Sequence, residues 1–268
     1  MKLCVIGLGK IGTALIQGIL NSGLYSPNKI IGSDIKVKNT DINEEYFNIE
    51  TTNNNVESVK KADVVLLAIK PQVMDHVLEE ISEAVKGKLI ISIAAGISNS
   101  HLKEKLALDV RTIRVMPNTP VLVKSGISAV APGRNATDSD VKLVKNIFEG
   151  VGEVVEVKEN LMDAITGLSG SGPAFIYIMI EALADGGVLA GISREMAVQL
   201  TAQTMLGSAK MVLETKNHPG LLKDMVTSPA GTSIRGIEVL EKHGIRGILI
   251  DAVKEAALRS KELNSIDN

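Results

Sequence analysis

Two stretches of this chain hold residues whose types and spacing suit ligand binding or catalysis. The first is the glycine loop Gly7-Leu-Gly-Lys-Ile-Gly12, whose spacing lets backbone approach a pyrophosphate. The second stretch, residues 226–241, places Thr232 and Ser233 at the start of an amphipathic helix. Free N–H groups at a helix N-terminus can bind a small carboxylate, and the two hydroxyls can donate to a neighbouring nitrogen or oxygen. Ordinary N-capping by a serine or threonine is the alternative interpretation of this second stretch.

The elements around the glycine loop come in the order that dinucleotide binding requires. Leu3–Ile6 is an apolar run typical of a buried parallel strand, and an apolar helical stripe follows the loop. Gly7 permits the tight turn, Gly9 the approach of the pyrophosphate, and Gly12 the packing of helix on strand. We therefore predict a dinucleotide site here, against the alternative of an ordinary glycine-rich turn.

The end of the second predicted strand bears on the choice of cofactor. Asp34 lies about 20 residues after the loop, where an acidic residue usually binds the ribose 2′-hydroxyl of NAD and repels the 2′-phosphate of NADP. Ser33, Lys36 and Lys38 are candidate partners for a phosphate. The sequence favours NAD but leaves the choice between NADH and NADPH open.

Further strand ends are expected to border the cofactor, because ligands meet open α/β sheets at the carboxyl ends of the strands. The apolar run 62–69 leads into Lys70-Pro71, and Leu89–Ile93 leads into Ala94-Ala95-Gly96. Lys70 could equally be a solvated charge at a strand end. Pro117 and Pro120 stiffen the loop that holds Asn118.

The alternation of strands and helices stops near residue 157. We predict an α/β dinucleotide-binding domain of the Rossmann type over residues 1–157 and an all-α domain over residues 158–268. The helix from Ala174 to about Leu189 is apolar almost all round, which predicts burial by a second copy of the chain. His218 and His243 are interpreted as cap or surface residues.

Composition excludes several classes of function. A net charge of −2, an aromatic content of 2% and a pI near 6.1 give no support for nucleic-acid binding. We predict no metal site and no membrane span, since no stretch reaches about 18 uncharged apolar residues. The single cysteine, Cys4, suits a reducing compartment, so we expect a cytoplasmic protein.

Several segments, taken together, resemble the pyrroline-5-carboxylate reductases, which make proline. The similarity spans essentially the full chain, and its two longest motifs are residues 166–173 and 226–241. Ile176 and Ile180 stand where β-hydroxyacid dehydrogenases carry a lysine and an asparagine, which argues against alcohol oxidation. The remaining matching segments are residues 6–12, 67–71, 92–96, 114–120, 218–219 and 222–224.

The resemblance implies hydride transfer from NADH or NADPH to the C=N carbon of Δ1-pyrroline-5-carboxylate, giving proline. Ser233 stands where the family usually has a threonine that hydrogen-bonds the ring nitrogen, and with Thr232 it forms the predicted catalytic pair. The expected substrate-binding residues are Val226, Gly231, Thr232, Ser233 and Asn118. The expected cofactor-binding residues are Ile6, Gly7, Leu8, Gly9, Lys10, Ile11, Gly12, Ser33, Asp34, Asn55, Ala68, Ile69, Lys70, Pro71, Ile93, Ala94 and Ala95.

Two other functions stay open at this point. A non-catalytic NAD(P) sensor would keep the glycine loop but would not need the hydroxyls near Ser233, and an imine reductase for a related ring would keep both. The apolar helix from Ala174 to about Leu189 predicts a homodimer through the helical domain, and a ring of dimers stays open as a larger assembly. Residues 39–50 match nothing that we can assign.

Overall fold

The computed structural model describes residues 1–36, 47–106 and 109–266, which fall into two compact units. The first unit comprises Met1–Ser171 together with Glu255–Asn268, and the second comprises Gly172–Lys254. Each unit is described by itself below.

An eight-stranded sheet forms the first unit, in the order β3-β2-β1-β4-β5-β6-β7-β8. All neighbouring strands are parallel except β6 and β7, which are antiparallel. The chain therefore has the predicted Rossmann-type sheet. The strands are β1 Leu3–Ile6, β2 Ile30–Ser33, β3 Glu50–Thr52, β4 Val64–Leu67, β5 Leu89–Ser92, β6 Arg111–Met116, β7 Gly126–Pro132 and β8 Gly152–Glu156.

Helices pack on both faces of this sheet, as near-continuous apolar strands require. Strands β1, β4 and β5 are buried along their whole length. Two apolar clusters, one centred on Leu15 and Phe148 and the other on Leu78 and Ile90, form the cores of the two faces. The helices of this unit are α1 Lys10–Asn21, α2 Asn55–Lys60, α3 Met74–Ile81, α4 Asn99–Lys105, α5 Asp138–Glu149 and α6 Met162–Ile165.

Cys4 lies inside the second of these clusters and has no exposed surface. Burial raises the pKa of the Cys4 thiol to about 12, although the charge of Lys88 acts in the opposite direction. A neutral buried thiol is chemically inert. The interpretation of Cys4 as a core residue is confirmed.

One short strand and the division between the two compact units differ from what the sequence predicts. Glu50–Thr52 forms a short strand that pairs with β2 in parallel, at a place where the sequence pattern names no strand; residues 37–46 lie outside the described part. The last strand ends at Glu156, next to the predicted boundary at residue 157. The packing nevertheless divides after Ser171, because Met162 is fully buried against Ala129 and Ala131 of β7.

Five helices make up the second unit. They are α7 Gly172–Leu189, α8 Arg194–Thr215, α9 Pro219–Met225, α10 Thr232–Lys242 and α11 Ile245–Ile266, of which the last continues into the first unit. The closest approach of α7 and α8 uses small residues, since Ala184 and Ala197 are buried and a Cβ on Gly187 would lie 3.2 Å from that of Ala197. His218 caps α9 by accepting the N–H of Gly220 at 3.1 Å, as expected.

Large apolar side chains of α7 lie on the surface of the single chain. Ile178 is 65% exposed, Leu183 56% and Leu189 91%. The run Glu159–Leu189 is also long and apolar enough to cross a membrane by length and composition alone, and 6% of its most apolar window is buried. The sequence predicts no such span when only uncharged runs are considered, because this run contains charged residues such as Glu181 and Asp185.

The N-terminus of α5 yields a prediction about stability. Thr137 and Asp140 form a capping box, in which each side chain accepts the backbone N–H of the other. We expect Thr137→Ala to lower the free energy of unfolding by about 1 kcal/mol, since one backbone N–H loses its acceptor. Urea unfolding of the full chain measures this. The matched control is Ser139→Ala, an exposed position in the same turn that bonds only Thr137, and an equal loss there would contradict the capping role.

Candidate functional site

The glycine loop joins β1 to α1 through a turn that has no room for side chains. Gly7 has φ +99° and donates its N–H to the carbonyl of Ser33 at 2.8 Å. A Cβ on Gly7 would lie 2.4 Å from the carbonyl oxygen of Ala68, and one on Gly12 would lie 2.1 Å from that of Gly7. Glycine is therefore required at both positions by backbone contact, as the spacing predicted.

Gly9 differs from the other two glycines because open space surrounds its Cβ position. It is the N-cap of α1 and supplies no side-chain cap. The first helical hydrogen bond runs from Thr13 N–H to Gly9 carbonyl at 2.9 Å, so the N–H groups of Lys10, Ile11 and Gly12 have no intrahelical partners. Together with the helix dipole they form a cradle that suits a pyrophosphate.

Asp34 is hydrogen-bonded to the glycine loop itself. One carboxylate oxygen accepts the N–H of Leu8 at 2.8 Å, and the other accepts the N–H of Lys36 at 2.9 Å. The side chain is partly exposed, whereas Leu8 is 3% exposed and packs in the core. The carboxylate is therefore fixed at the end of β2, beside the loop, where the ribose was expected.

Ser33 and Asn55 are buried, and their side chains are hydrogen-bonded within the protein. The Ser33 hydroxyl has no exposed surface and donates to the Asn55 amide oxygen at 2.7 Å. The Asn55 amide nitrogen in turn donates to Glu80 at 2.8 Å. The single hydroxyl proton of Ser33 is already donated to Asn55, so it is not available to a phosphate; the contact of Asn55 with the cofactor stays a prediction. Of the other two candidates, Lys36 is exposed and Lys38 lies outside the described residues.

The ends of β4 and β5 lie on the same edge of the sheet as the glycine loop. Ala68 donates its N–H to the carbonyl of Ile6 at 2.8 Å, which continues the pairing of β4 with β1. Ile69 and Pro71 are partly buried and Lys70 is exposed. After β5, Ala94 is 4% exposed and packs in the core, while Ile93 and Ala95 keep accessible surface.

Asn118 holds the loop that follows β6. Its side-chain oxygen accepts the N–H of Ile127 in β7 at 3.0 Å. This bond orients the side chain and leaves its amide nitrogen as the group able to donate to a ligand.

In the second unit, the turn before α10 presents a free helix N-terminus. Gly231 is the N-cap with φ −75° and ψ 174°, and no side chain caps it. Within the described part of the chain, the hydroxyls of Thr232 and Ser233 have no hydrogen-bond partner. The alternative of serine or threonine N-capping is therefore wrong for this helix, and the hydroxyls and N–H groups are available to an anionic ligand. Val226 precedes the turn and is 69% exposed.

The strained backbone conformation of this turn lies at Ala230, a feature absent from the sequence predictions. It has φ 57°, a left-handed conformation that side chains other than glycine rarely adopt. Gly231 donates its N–H to the Ser228 carbonyl at 3.1 Å, which closes the turn. The signal was present in the sequence, because Pro229 favours the position before a residue of positive φ in a type II turn.

The π-helical turn Thr166–Gly170 was also missed. It interrupts the helix between α6 and α7, and Ser171 donates its N–H to the Thr166 carbonyl at 2.8 Å. Within the described residues, no group of three or more histidine, cysteine, aspartate or glutamate side chains is arranged to hold a metal ion.

Comparison with known proteins gives matches to both halves of the chain. A family model described as "Pyrroline-5-carboxylate reductase dimerisation" matches residues 159–263, and one described as "NADP oxidoreductase coenzyme F420-dependent" matches residues 2–96. The chain is 49% identical to a pyrroline-5-carboxylate reductase of Methanosarcina acetivorans over 263 residues, which cover 98% of this chain and 97% of the relative.

Solved structures of similar proteins agree with this match. A pyrroline-5-carboxylate reductase from Coxiella burnetii is 35% identical with a TM-score of 0.92, and each chain is covered to 98%. A pyrroline carboxylate reductase from Plasmodium falciparum, with NADP bound, is 34% identical with a TM-score of 0.89 and the same coverage.

The glycine loop yields a prediction that separates folding from cofactor binding. Gly9→Ala should leave the free energy of unfolding within about 0.5 kcal/mol of the parent value, because the backbone is extended and the Cβ has space. It should weaken NAD(P)H binding about tenfold or more, since the methyl group occupies the cradle.

Gly12→Ala is the contrasting variant, because its Cβ meets a backbone carbonyl. We expect it to lower the free energy of unfolding by about 1–3 kcal/mol and to weaken cofactor binding as well. Urea unfolding and calorimetric titration with NADH and NADPH give the two quantities. Unchanged affinity in Gly9→Ala would exclude the cradle as the cofactor site.

Proposed function

The chain belongs to the pyrroline-5-carboxylate reductase family, and we propose that it reduces the C=N bond of Δ1-pyrroline-5-carboxylate with NAD(P)H to give L-proline. The observation that carries this proposal is the presence of both halves of the required chemistry. The first unit has an open glycine cradle, and the second has a helix N-terminus with two unpaired hydroxyls.

Cofactor binding is the role we propose for the first unit. The N–H groups of Lys10, Ile11 and Gly12 would bind the pyrophosphate, and Asp34 would bind the adenosine ribose. Ala68, Lys70 and the segment 93–95 lie along the same sheet edge, where the rest of the cofactor would extend. When bound, the reduced nicotinamide supplies the hydride for the reaction.

Substrate binding is the role we propose for the turn before α10. The backbone N–H groups of Thr232 and Ser233 would bind the substrate carboxylate, since the helix dipole favours a negative charge there. Gly231, whose own N–H donates to the Ser228 carbonyl, remains a predicted substrate contact. Val226 and Asn118 remain predicted substrate contacts.

The Ser233 hydroxyl would donate to or accept from the ring nitrogen, depending on whether the imine arrives neutral or protonated. The imine carbon gains the hydride and the nitrogen keeps or gains one proton, so the product is a secondary amine. A cyclic imine that arrives protonated needs orientation more than a strong acid. Within the described residues of the turn there is accordingly no histidine or carboxylate between Val226 and Ile237. Thr232 is the second predicted catalytic residue because its hydroxyl lies beside that of Ser233 in sequence.

Assembly into a homodimer follows from the exposed apolar side chains of the second unit together with the dimerisation-domain match. Ile178, Leu183 and Leu189 are exposed in the single chain. Burying each side chain against a partner would contribute about 1.5–3 kcal/mol of transfer free energy. Burial against a partner also accounts for the apolar run Glu159–Leu189, so the run does not require a membrane. We propose a cytoplasmic enzyme; a ring of dimers remains a prediction.

The decisive test is oxidation of NADH and NADPH in the presence of Δ1-pyrroline-5-carboxylate. Steady substrate-dependent oxidation is expected with at least one cofactor. A sensor would bind NADH or NADPH but would not oxidise the bound cofactor when this substrate is added. A reductase for a different ring would oxidise the cofactor faster with a piperideine carboxylate, which serves as the comparison substrate.

Ser233 is tested by removing and by restoring its hydroxyl. Ser233→Ala should lower kcat/KM about tenfold or more, the equivalent of one useful hydrogen bond of about 1.4 kcal/mol. Ser233→Thr keeps the hydroxyl and should retain activity within about threefold of the parent. An alanine variant as active as the parent would remove Ser233 from the site.

The dimer is tested by placing a charge on α7. Ile178→Glu should shift the chain toward monomer in sedimentation velocity at micromolar concentration, because an unpaired charge would be buried in the interface. Ser139→Glu adds the same charge at an exposed position of the first unit and should leave the mass unchanged. A parent chain that sediments as a monomer would contradict the assignment.

A further inference from the structure

One of the two longest motifs in the sequence, residues 166–173, has no part in the proposed reaction. Its first five residues form the π-helical turn Thr166–Gly170, which Ser171 closes by donating its N–H to the Thr166 carbonyl at 2.8 Å. The Thr166 hydroxyl donates to the Met162 carbonyl at 2.8 Å, so its proton is used to hold the turn. Single π-helical turns inside helices occur frequently at functional sites, and the contacts of this turn therefore bear on function.

Gly170, the last residue of the turn, lies against the side chain of Met116. A Cβ on Gly170 would stand 2.6 Å from the Met116 Cε and 3.6 Å from the Thr166 Cγ2. Gly170 has no positive φ, so its backbone conformation does not require glycine. The contact with Met116 is what requires a residue without a side chain.

Met116 ends β6 and leads directly into the loop that holds Asn118. Because β6 is parallel to β5, its carboxyl end lies at the same edge of the sheet as the glycine loop. Pro117 follows Met116 and is buried, and a proline restricts the residue before it to an extended backbone. A shift of Met116 therefore displaces Asn118 as well.

The Met116 side chain is also held by buried neighbours. It packs against Ala129, Ala131 and Met162, each at most 1% exposed. Ala129 is its partner in the antiparallel pairing of β6 with β7, and Met162 supplies the carbonyl that anchors the π-helical turn. A methyl group added at the end of the turn would therefore press on the end of β6.

We propose that Gly170 and Met116 are positioning residues for the reductase reaction. The π-helical turn fixes the Met116 side chain, and Met116 fixes the loop of Asn118, a predicted substrate contact. Both residues act through Asn118 and not on the reacting atoms. The inference rests on the proposed function and gives the motif of residues 166–173 a part in it.

Gly170→Ala is the direct test, because the new methyl group must displace the Met116 Cε by about 1 Å to reach ordinary contact distance. A methionine side chain adapts readily, so the urea midpoint of unfolding should stay within about 0.5 M of the parent value. We expect kcat/KM for Δ1-pyrroline-5-carboxylate to fall at least about fivefold, since small misplacements of positioning groups reduce turnover strongly.

Cofactor binding in the same variant separates a displaced loop from general damage. The glycine cradle is untouched, so the Kd of NADH and of NADPH should each stay within about twofold of the parent value. A folded Gly170→Ala protein with the parent kcat/KM would overturn the proposal.

Met116→Val tests the same contact from the other side, because it removes the Cε that meets the new methyl group. Alone it leaves a space beside Gly170 and should lower kcat/KM about threefold. Combined with Gly170→Ala, the new methyl group fills that space, and kcat/KM should return to within about twofold of the parent value. Losses that simply multiply in the double variant would overturn the proposal, and the double variant also decides the matter if Gly170→Ala alone does not fold.

Hydrogen exchange gives a readout that needs no turnover. The backbone N–H of Ile127 donates to the Asn118 side-chain oxygen at 3.0 Å, and a displaced loop weakens this bond. Exchange in the peptide that contains Ile127 should be at least about fivefold faster in Gly170→Ala and should return to the parent rate in the double variant. Unchanged exchange in Gly170→Ala would mean that the loop has not moved, which contradicts the positioning role.

Gly247→Ala is the matched control. Gly247 also lies inside a helix, α11, but nothing lies within 4 Å of its Cβ position. The same gain in helix propensity should leave kcat/KM and the exchange of Ile127 at the parent values. An equal loss there would assign the effect to helix propensity and not to the contact with Met116.

The two proposals fail in distinguishable ways. If the parent chain oxidises neither NADH nor NADPH with the substrate, the reductase function is wrong, while the exchange of Ile127 still shows whether Gly170 positions the loop. If the parent chain is active and Gly170→Ala is equally active, the reductase function stands and the positioning role is wrong.

Discussion

Backbone contact at the glycine loop is the constraint on which the nucleotide-binding unit depends. The carbonyl oxygens of Gly7 and Ala68 lie 2.1 Å and 2.4 Å from where the Cβ atoms of Gly12 and Gly7 would stand. Strands β1 and β4 and the start of α1 can meet this closely only because no side chain separates them. The same closeness turns the N–H groups of α1 outward into the cradle and brings Leu8 to Asp34.

The second unit depends on a different condition, because a single chain covers little of its apolar surface. Ala184 of α7 and Ala197 of α8 are buried, while side chains as large as Ile178 and Leu189 stay exposed. Hydrophobic burial, the main source of folding free energy, is thus left largely to an association step. The stability of such a unit therefore depends on assembly. The turn before α10 belongs to this unit.

The sequence predicted the parts of this molecule that local patterns record. Apolar runs located β1, β4 and β5, and the glycine spacing located the cradle, because each residue's role there depends on near neighbours in the chain. Strand β3 was missed because Glu-Thr-Thr contains no apolar run and is held only by β2. The bonds of Asp34 to Leu8 and of Ser33 to Asn55 depend on which strands are neighbours. The packing of Met162 on β7 likewise moved the division between units, and no periodicity records such a contact.

The first unit is built from two separate segments of the chain, and its second segment, in the C-terminal helix α11, is synthesised after the whole second unit. Ser260, 4% exposed, donates its hydroxyl to Asp163 at 2.8 Å, and residues 255–268 belong to the same compact unit as the sheet. A ribosome therefore releases the whole second unit before the last piece of the first unit emerges. The nucleotide-binding unit can collapse early, but it cannot complete its own packing until the helix that carries Ser260 has been synthesised. Nascent chains stalled before Ser260 are accordingly expected to lack the hydrogen bond that ties this helix to Asp163.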